Sequence, residues 1–391
     1  MFAFILGREF RLSIAEIHNF FPKSNCLFAS REIAFFDSIT SEDIISNFHK
    51  IGGSIKVIEI IKELKTEKEF APESIKLITE KIEYATGKFC YGLAQYGLSS
   101  NLFTIGLQIK KELKKENITN TRLVNKDSNN VNAAVYKKEK LATSGIELNL
   151  IKASERTFIG KTITYQDVDN YSSRDYGKSR DMDIGMLPPK LAQMMINLTG
   201  NQGNAIYDPF CGLGTVLIEA LNSGYKNVYG SDLNPKMVDA SNKNTYLYVE
   251  NDTKINIFEN DSARIERVNF LKGTSNISIV TEGYLGSVMT RGHVTEEKIK
   301  EERKKLLSIY SGFFSGLKKL GYKGTIVICF PFWQLNGKYI YFDEIYKLIK
   351  ESGFKTNKLL PEGIEFQETR SGSLLYHRPN QQVGREVFKL N

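Results

Sequence analysis

The sequence is poor in the residues that build metal sites and disulfide frameworks. Among its 391 residues are only four cysteines, four histidines and one tryptophan. The cysteines lie far apart and form no C-x-x-C pair, so we expect reduced thiols rather than disulfides or zinc ligands. The histidines are equally scattered. The sequence therefore predicts no metal site.

Long apolar runs are also missing from the chain. No hydrophobic stretch reaches the roughly 20 residues that a membrane-spanning helix needs. The first residues, 1–9, lack the positively charged region that begins a signal peptide. We therefore expect a cytoplasmic protein that has no membrane partner.

The charge of the chain is modest overall but uneven along its length. The formal net charge is +8, which many proteins that bind no nucleic acid also reach. Residues 1–100 have 12 Lys or Arg and 13 Asp or Glu, whereas residues 101–140 have nine and four. A lysine-rich helix face in contact with solvent alone would explain this excess, and so would a phosphate-binding surface. The residues of the predicted phosphate-binding surface are Lys110, Lys111, Lys114, Lys115 and Arg122.

The rest of the chain is organised around a strand, a tight turn and a helix at residues 205–220. The apolar start of this stretch predicts a buried strand, and Gly212 and Gly214 predict the turn. Apolar residues then recur at helical spacing from Val216 to Leu221. Such a unit places a ligand at the carboxyl end of a parallel sheet, against a helix N-terminus. Glycine in the turn lets the ligand approach the backbone.

The acidic residues around this turn indicate the kind of ligand. A dinucleotide fingerprint, G-x-G-x-x-G, would have a third glycine where this chain has Leu217. Asp208 ends the strand before the turn, where a carboxylate would repel a pyrophosphate but pair with an ammonium group. Asp232 ends the next predicted strand and is placed to accept hydrogen bonds from ribose hydroxyls. Together these features predict S-adenosylmethionine as the cofactor.

Four stretches of the sequence resemble motifs of known proteins. The stretch from Asp208 to Thr215, D-P-F-C-G-L-G-T, looks like motif I of amino-group methyltransferases. The run G-M-L-P-P-K-L-A at 185–192 is similar to the segment before motif I in THUMP-containing tRNA guanosine N2-methyltransferases. The runs F-I-L-G-R-E at 4–9 and G-G-S-I-K at 52–56 look like the start of that family. The resemblance covers nearly the whole chain and is strongest at motif I.

This resemblance implies where the cofactor is bound. The family uses motif I, the acid after the second strand of the domain and an acid in the turn after the third strand. Asp261 matches the last of these, which contacts the adenine amine in the family. The implied cofactor-binding residues are Asp208, Phe210, Gly212, Gly214, Thr215, Asp232, Leu233, Asp261 and Ser262.

The catalytic motif implied by the family departs from its usual form. Amino-group methyltransferases usually have Asp or Asn, two prolines and Tyr after the fourth strand. The corresponding residues in this chain are Thr281, Glu282, Gly283 and Tyr284. Tyr284 matches the residue that stacks on the extruded base. Thr281 accepts a hydrogen bond but carries no charge, and Glu282 supplies a carboxylate only if the turn is shifted by one residue. We also expect Gly283 to loosen a loop that proline would stiffen.

The order of predicted elements gives the domain organisation and the fold class. Ser13 and Glu16 are interpreted as a capping box that begins the first helix. The predicted fold is α/β, with a class I methyltransferase domain that has a Rossmann-like doubly wound sheet and an antiparallel last strand. An α+β ferredoxin-like and THUMP region precedes it. The predicted parts are residues 1–65 (ferredoxin-like), 66–155 (THUMP-like and RNA-binding), 156–184 (linker) and 185–391 (methyltransferase).

The leading hypothesis is an S-adenosylmethionine-dependent methyltransferase that acts on tRNA, at the exocyclic N2 amine of a guanosine. The shared chemistry keeps a second hypothesis open, which is methylation of a base amine in DNA or ribosomal RNA. A third is a tRNA-binding protein that keeps the cofactor fold but is catalytically degenerate, and Thr281 and Gly283 favour it. The sequence leaves open the target nucleotide, mono- or dimethylation, the oligomeric state and the need for a small activating protein subunit.

Overall fold

The structure is a computed structural model, and it divides the chain into two compact units. The first unit consists of Met1–Phe10, Lys23–His49 and Ser54–Asp169, and the second of Arg11–Pro22, Lys50–Gly53 and Asn170–Asn391. Gly185 and Met186 of the family-like run lie outside the described residues. The structure describes residues 1–82, 87–127, 129–176, 187–200, 205–250, 252–289, 294–366, 369–379 and 381–391.

Strands and helices alternate along most of the chain. The strands are β1 (Phe2–Leu6), β2 (Cys26–Ala29), β3 (Ile33–Phe36), β4 (Ser54–Leu64), β5 (Phe89–Tyr96), β6 (Thr121–Leu123), β7 (Gly145–Ala153), β8 (Arg156–Tyr165), β9 (Ala205–Asp208), β10 (Asn227–Asp232), β11 (Lys254–Glu259), β12 (Ile277–Thr281), β13 (Ile326–Leu335), β14 (Lys338–Tyr341), β15 (Thr356–Asn357), β16 (Leu374–Tyr376) and β17 (Val383–Leu390). The helices are α1 (Phe10–Phe20), α2 (Ser41–Asn47), α3 (Phe70–Ile82), α4 (Leu102–Lys115), α5 (Ala133–Lys138), α6 (Val168–Tyr176), α7 (Pro189–Leu198), α8 (Thr215–Asn222), α9 (Pro235–Tyr246), α10 (Glu296–Leu320) and α11 (Asp343–Glu351). No helix among the described residues combines the length and the apolar character that crossing a bilayer requires.

The first unit is built on one sheet, whose described strands have the order β2-β3-β1-β4-β8-β7-β5-β6. The strands β2, β3, β1 and β4 are antiparallel neighbours. Their order along the chain, with α1 and α2 between them, is the β-α-β-β-α-β order of a ferredoxin-like unit. Every residue of β1 is buried, as expected for a strand inside a sheet. The predicted ferredoxin-like arrangement is therefore present.

This sheet continues past residue 65 and includes a strand that the sequence analysis did not predict. β8 lies between β4 and β7 and is antiparallel to both. Its residues 157–160 are all buried, and Thr, Phe, Ile and Tyr in the segment favour a strand. Residues 156–165 are thus an interior strand rather than part of a connecting loop. Residues 177–184 of the predicted linker lie outside the described residues, and the three boundaries between the four predicted parts stay predictions.

Ser13 and Glu16 do not form a capping box. Helix α1 begins before them, and both side chains are buried in the second unit. Glu16 accepts hydrogen bonds from the backbone N–H groups of Gly52 and Gly53, each at 2.7 Å. Ser13 donates to the Gly53 carbonyl at 2.7 Å, and Asn197 donates to Glu16 at 2.8 Å. The side chains of Ser13 and Glu16, whose spacing resembles a helix cap, therefore join three separate segments of the chain.

The second unit contains the predicted doubly wound sheet. Its main strand order among the described residues is β11-β10-β9-β12-β13-β17-β15, with β14 paired to β13 and β16 to β17. The strands β9 to β13 run parallel to one another, whereas β17 is antiparallel to β13 and β15. The chain order changes direction at β9, which is the place where doubly wound sheets bind ligands. The fold class is confirmed.

Helix α10 packs in the core of the second unit. Thr295 caps its start by accepting a hydrogen bond from the Lys298 N–H, and Gly321, in the left-handed region, ends it. Apolar and aromatic side chains recur at helical spacing along its buried face. They are Leu306, Tyr310, Phe313, Phe314 and Leu317, and they pack against strand residues that include Ile279, Ile328 and Phe330. This face brings Tyr310 close to the turn that follows β12.

Candidate active site

A cavity of about 1210 Å³ lies at the carboxyl ends of β9, β10 and β12, within the second unit. Small-molecule pockets typically have volumes of about 300–1,000 Å³, so this cavity has room for a cofactor and part of a second ligand. Gly214 and Thr281 are next to lining residues in the sequence, but they do not themselves line the cavity. The predicted site residues that line it are Asp208, Phe210, Gly212, Thr215, Asp232, Leu233, Asp261, Ser262, Glu282, Gly283 and Tyr284.

The two glycines of the first turn are needed for different reasons. Gly212 and Gly214 have φ angles of +50° and +82°, which favour glycine. A Cβ atom on Gly212 would have no atom within 4 Å, so its backbone is open to a ligand, as the sequence predicts. A Cβ atom on Gly214 would instead lie 2.5 Å from the Ser241 hydroxyl oxygen on α9. Gly214 therefore permits the packing of α8 against α9 and does not serve ligand approach.

Asp208 is a buried carboxyl at the base of the cavity, with 2% of its surface exposed. It accepts hydrogen bonds from the Phe210 N–H at 3.0 Å and from the Thr281 hydroxyl. Burial raises the pKa of Asp208 to about 7, although these two hydrogen bonds lower it. The nearby carboxylates of Asp232 and Glu282 raise it further. A cationic group bound beside Asp208 would stabilise its ionised form.

Asp232 and Asp261 shape the turns after β10 and β11. One oxygen of Asp232 accepts the Gly212 N–H and the other accepts the Asn234 N–H, each at 2.9 Å. Asp261 accepts the Ala263 N–H at 2.9 Å and caps the short 3-10 helix that follows. A carboxylate has about four lone-pair sites. Both residues therefore keep acceptor capacity for hydroxyl or amine groups in the cavity.

Thr281 and Glu282 have different surroundings although they are adjacent. Thr281 is fully buried. Its hydroxyl accepts the Gly283 N–H at 3.0 Å and bonds to Asp208. Glu282 lines the cavity, and Nε of Arg385 donates to its Oε1 at 2.5 Å. Burial raises the pKa of Glu282, whereas Arg385 lowers it. The carboxylate in this turn thus belongs to Glu282, one residue later than in the family pattern.

The turn after β12 is held by α10 and is not loosened by Gly283. Gly283 has a φ of +68°, and a Cβ atom there would overlap the hydroxyl of Tyr310. That hydroxyl donates to the Tyr284 carbonyl at 2.9 Å. Glu302 on α10 accepts the Ser287 N–H at 3.0 Å. The expectation of a loose loop is therefore wrong, because the close approach of Tyr310 requires glycine. The Tyr284 side chain, 43% exposed, lies at the cavity.

Sequence reasoning missed the part of the cavity wall that comes from the end of the chain. Arg385 lies on β17 and lines the cavity with Gln381, Gln382 and Val383. Arg385 and Glu282 are 103 positions apart in the sequence. Apolar and polar residues alternate near the end of the chain and predict the strand that is observed as β17. No local pattern, however, indicates which distant side chain Arg385 contacts.

The predicted phosphate-binding residues lie in the first unit and differ in their pairing. Lys115 donates to Glu112 at 2.8 Å, and Arg122, on β6, forms an ion pair with Glu139. The opposite face of α4 is buried through residues such as Ile109. The lysines of α4 for which the described residues provide no acidic partner are Lys110, Lys111 and Lys114.

Residues 177–283 match the model of a family described as the RMKL-like methyltransferase domain. The match begins before α7 and ends in the turn after β12, so it includes Asp208, Asp232, Asp261 and Glu282. Residues 177–283 are therefore similar in sequence to a methyltransferase domain. This confirms the predicted methyltransferase domain and its cofactor, S-adenosylmethionine.

The chain is also similar to two proteins named tRNA (guanine(10)-N2)-dimethyltransferase. It is 26% identical to the one from Methanocaldococcus jannaschii over 198 residues, which are 50% of this chain and 56% of that protein. It is 45% identical to the one from Methanothermobacter thermautotrophicus over 65 residues, which are 16% of this chain and 19% of that protein. The chain thus spans about half and about a fifth of these relatives. The matches confirm the resemblance to the tRNA guanosine N2-methyltransferase family.

The crystal structure of TrmN from Thermus thermophilus has a similar fold. The TM-score is 0.51 at 15% sequence identity, and the similarity covers 100% of this chain and 98% of that chain. At this identity the likeness bears on the fold alone. The THUMP part of the N-terminal prediction stays a prediction.

Proposed function

We propose that the chain is an S-adenosylmethionine-dependent methyltransferase that acts on tRNA, at the exocyclic N2 amine of a guanosine. The observation that carries the proposal is a single cavity whose walls include Asp208 and Asp232 together with Glu282 and Tyr284. Because both sets of residues line the same cavity, a methyl donor and an acceptor amine would lie side by side. Holding these two reactants in line can supply much of the catalysis. The names of the two relatives favour tRNA and this amine.

The side chains around the first turn fit the cofactor. When bound, S-adenosylmethionine supplies a methyl group on a sulfonium sulfur, which keeps the electron pair of the broken carbon–sulfur bond. In this proposal Asp208 pairs with the ammonium group, and Asp232 accepts hydrogen bonds from the ribose hydroxyls. Asp261 accepts a hydrogen bond from the adenine amine. The other residues assigned to this cofactor site are Phe210, Gly212, Thr215, Leu233 and Ser262, which line the cavity, whereas Gly214 supports the site only through the packing of its turn.

Glu282 and Tyr284 act on the substrate base. The exposed ring of Tyr284 stacks on the base after its extrusion. Glu282 accepts a hydrogen bond from the amine, which aims the nitrogen lone pair, and takes the proton that the nitrogen loses. Thr281 is buried and bonded to Asp208, so it shapes the site without touching the base. Gly283 allows the turn to pass Tyr310 closely.

The first unit supplies the RNA-binding surface in this proposal, consistent with a THUMP-like role for residues 66–155. Lys110, Lys111 and Lys114, which have no acidic partner among the described residues, contact tRNA phosphates, and such contacts make binding dependent on salt. Lys115 and Arg122 already have acidic partners and contribute less. We assign the protein to the cytoplasm, in line with the expectation from its sequence.

Transfer of labelled methyl groups to three nucleic acids tests the substrate class. The full chain would be incubated with labelled cofactor and with unmodified tRNA, ribosomal RNA or duplex DNA at one salt concentration. The proposal expects transfer to tRNA. Transfer to duplex DNA, with tighter binding than to tRNA, would favour a DNA base methyltransferase instead. Activity that appears only after a small protein is added would show that an activating subunit is required.

A catalytically degenerate tRNA-binding protein is the second candidate. It is favoured because Thr281 and Gly283 replace the residues usual at these positions of the motif. Both candidates predict binding of cofactor and tRNA, so only turnover separates them. Measurable binding of both ligands without methyl transfer to any RNA would establish the binding protein.

A further inference from the structure

Arg385 reaches the cavity from β17, the antiparallel last strand of the sheet. Its side chain is 6% exposed. Nε donates to Glu282 Oε1 at 2.5 Å, and Nη1 donates to Gln381 Oε1 at 3.4 Å. The guanidinium carbon lies 5.8 Å from the centre of the Tyr376 ring. These contacts fix the orientation of the guanidinium.

This pairing leaves half of the Glu282 carboxylate available to a ligand. Oε1 is bonded to Arg385, whereas no group among the described residues donates a hydrogen bond to Oε2. Glu282 also lines the cavity, so a substrate amine can donate to Oε2. Hydrogen bonds between arginine and carboxylate are charge-assisted and directional. Arg385 therefore restricts the orientations that the free oxygen can adopt.

A glutamate in this turn needs such a partner more than an aspartate would. Its side chain has one more rotatable bond, so holding its carboxylate in one place costs more conformational entropy. The chain also has no proline in this turn to stiffen the backbone next to Glu282. A second charged residue that binds one oxygen can supply the missing restraint.

We propose that Arg385 is a positioning residue for methyl transfer, which keeps the Glu282 carboxylate ionised and aimed at the substrate amine. The inference rests on the proposed function, in which Glu282 acts on that amine. As the nitrogen forms its bond to the methyl carbon, it loses one proton to Oε2 of Glu282. Arg385 touches none of the reacting atoms and acts only through Glu282.

The charge on Glu282 depends on groups from several elements. Burial raises its pKa, whereas Arg385 and then Arg378 lower it. Loss of the Arg385 charge would therefore favour the protonated form of Glu282, which cannot accept the proton. The other titratable groups that interact with Glu282 are Asp208, Cys329 and Tyr310.

The test is a double-mutant cycle between Arg385→Met and Glu282→Gln, with kcat measured against pH at saturating cofactor and tRNA. Saturating cofactor keeps Asp208 paired, so the acid limb of the profile reports Glu282. Arg385→Met should shift the acid limb to higher pH by about one to three units. Arg385→Lys keeps the charge and should keep the limb nearer its wild-type position. The double variant should be no slower than Glu282→Gln alone, because Arg385 acts through Glu282.

A purely structural role for Arg385 predicts different results. Arg385→Met would then lower the melting temperature and reduce kcat by the same factor at every pH, and the losses of the two single variants would multiply. Either result overturns the inference. If the methionine variant does not fold, Arg385→Gln replaces it, because it also removes the charge: the acid limb should still move to higher pH, and an unmoved limb would overturn the inference. A wild-type chain that methylates no nucleic acid would instead overturn the proposed function.

Discussion

Asp208 and Asp232 end adjacent parallel strands, yet their surroundings differ. Asp232 is half-buried, and both its oxygens accept backbone N–H groups of nearby turns. Asp208 is nearly inaccessible, and burial raises its pKa to about 7. The carboxylate that binds a cofactor ammonium group must be ionised. We therefore expect Asp208 to make cofactor binding depend on pH near neutrality.

Cofactor binding by the wild-type chain should weaken as the pH falls below about 7. Asp208 has a pKa of about 7, whereas the ordinary value is 3.8. Its carboxyl is therefore ionised above about pH 7 and neutral below it. Because only the ionised form pairs with an ammonium group, the Kd should rise more than about tenfold between about pH 7 and pH 5, where the α-amino group of the cofactor stays protonated. Calorimetric titration with S-adenosylmethionine measures this change. Asp208→Asn is the matched control and should bind weakly with a flat profile. A wild-type Kd that does not change with pH would contradict the assignment.

Residues close in sequence to the first turn could be predicted, whereas the partner of Glu282 could not. Asp208 and Asp232 each follow a recognisable strand, and parallel strands bring their carboxyl ends to one edge of the sheet. Thr281 and Glu282 could be placed in one turn, but only burial shows which of them faces the cavity. Arg385 is invisible to such reasoning because its contact with Glu282 joins residues that lie 103 positions apart in the sequence.

Helix α8 begins at a turn in which one glycine serves packing and the other serves access. The hydroxyl of Ser241 on α9 occupies the space beside Gly214, whereas the space beside Gly212 is open. Both residues have positive φ. The same substitution at the two positions should therefore damage different properties.

Gly214→Ala should lower the free energy of unfolding by about 2–4 kcal/mol, because strain at positive φ adds to the overlap with Ser241. Gly212→Ala should cost only about 1 kcal/mol, since strain is its only penalty. Its new methyl group points into the cavity, so the Kd for S-adenosylmethionine should rise about tenfold or more. Urea denaturation and calorimetry measure the two effects, and each variant is the control for the other. Equal stabilities of the two variants would contradict this division of roles.

Part of the second unit was predictable because it follows a local pattern: β9, its turn and α8 lie close to the predicted strand, turn and helix at residues 205–220, and β10 ends at Asp232 as predicted. Helix α6 was missed, because residues 168–176 fall within the predicted linker. β8 was missed although its Thr, Phe and Ile residues favour a strand, because the polar residues after 165 suggested one continuous linker. Ser13 and Glu16 have cap-like spacing, and only their burial against Gly52 and Gly53 reveals their actual role.

Across the whole molecule, the proposal divides the work between a catalytic unit and an RNA-binding unit. Replacing Lys110, Lys111 and Lys114 of α4 by alanine (K110A/K111A/K114A) should therefore raise the KM for tRNA while leaving kcat at saturating tRNA unchanged. The slope of log affinity against log salt should become shallower by about two, since each lost phosphate contact removes about 0.7–0.9. Filter binding at several salt concentrations measures this slope.

The matched control for this prediction replaces three exposed lysines of the second unit that do not line the cavity. They are Lys304, Lys319 and Lys323. If this control weakens tRNA binding as much as the α4 variant does, the effect reflects total charge, and α4 is not the RNA-binding surface.

The most direct measurement of the central claim is mass analysis of nucleosides from unmodified tRNA treated with the chain and S-adenosylmethionine. Wild type would be compared with Asp232→Ala, which removes the proposed ribose contact, and with Tyr284→Ala, which removes the proposed stacking ring. The account predicts N2-methylated guanosine with wild type and its loss with both variants. Methylation of adenosine, or no methylated nucleoside despite measured binding of cofactor and tRNA, would contradict it.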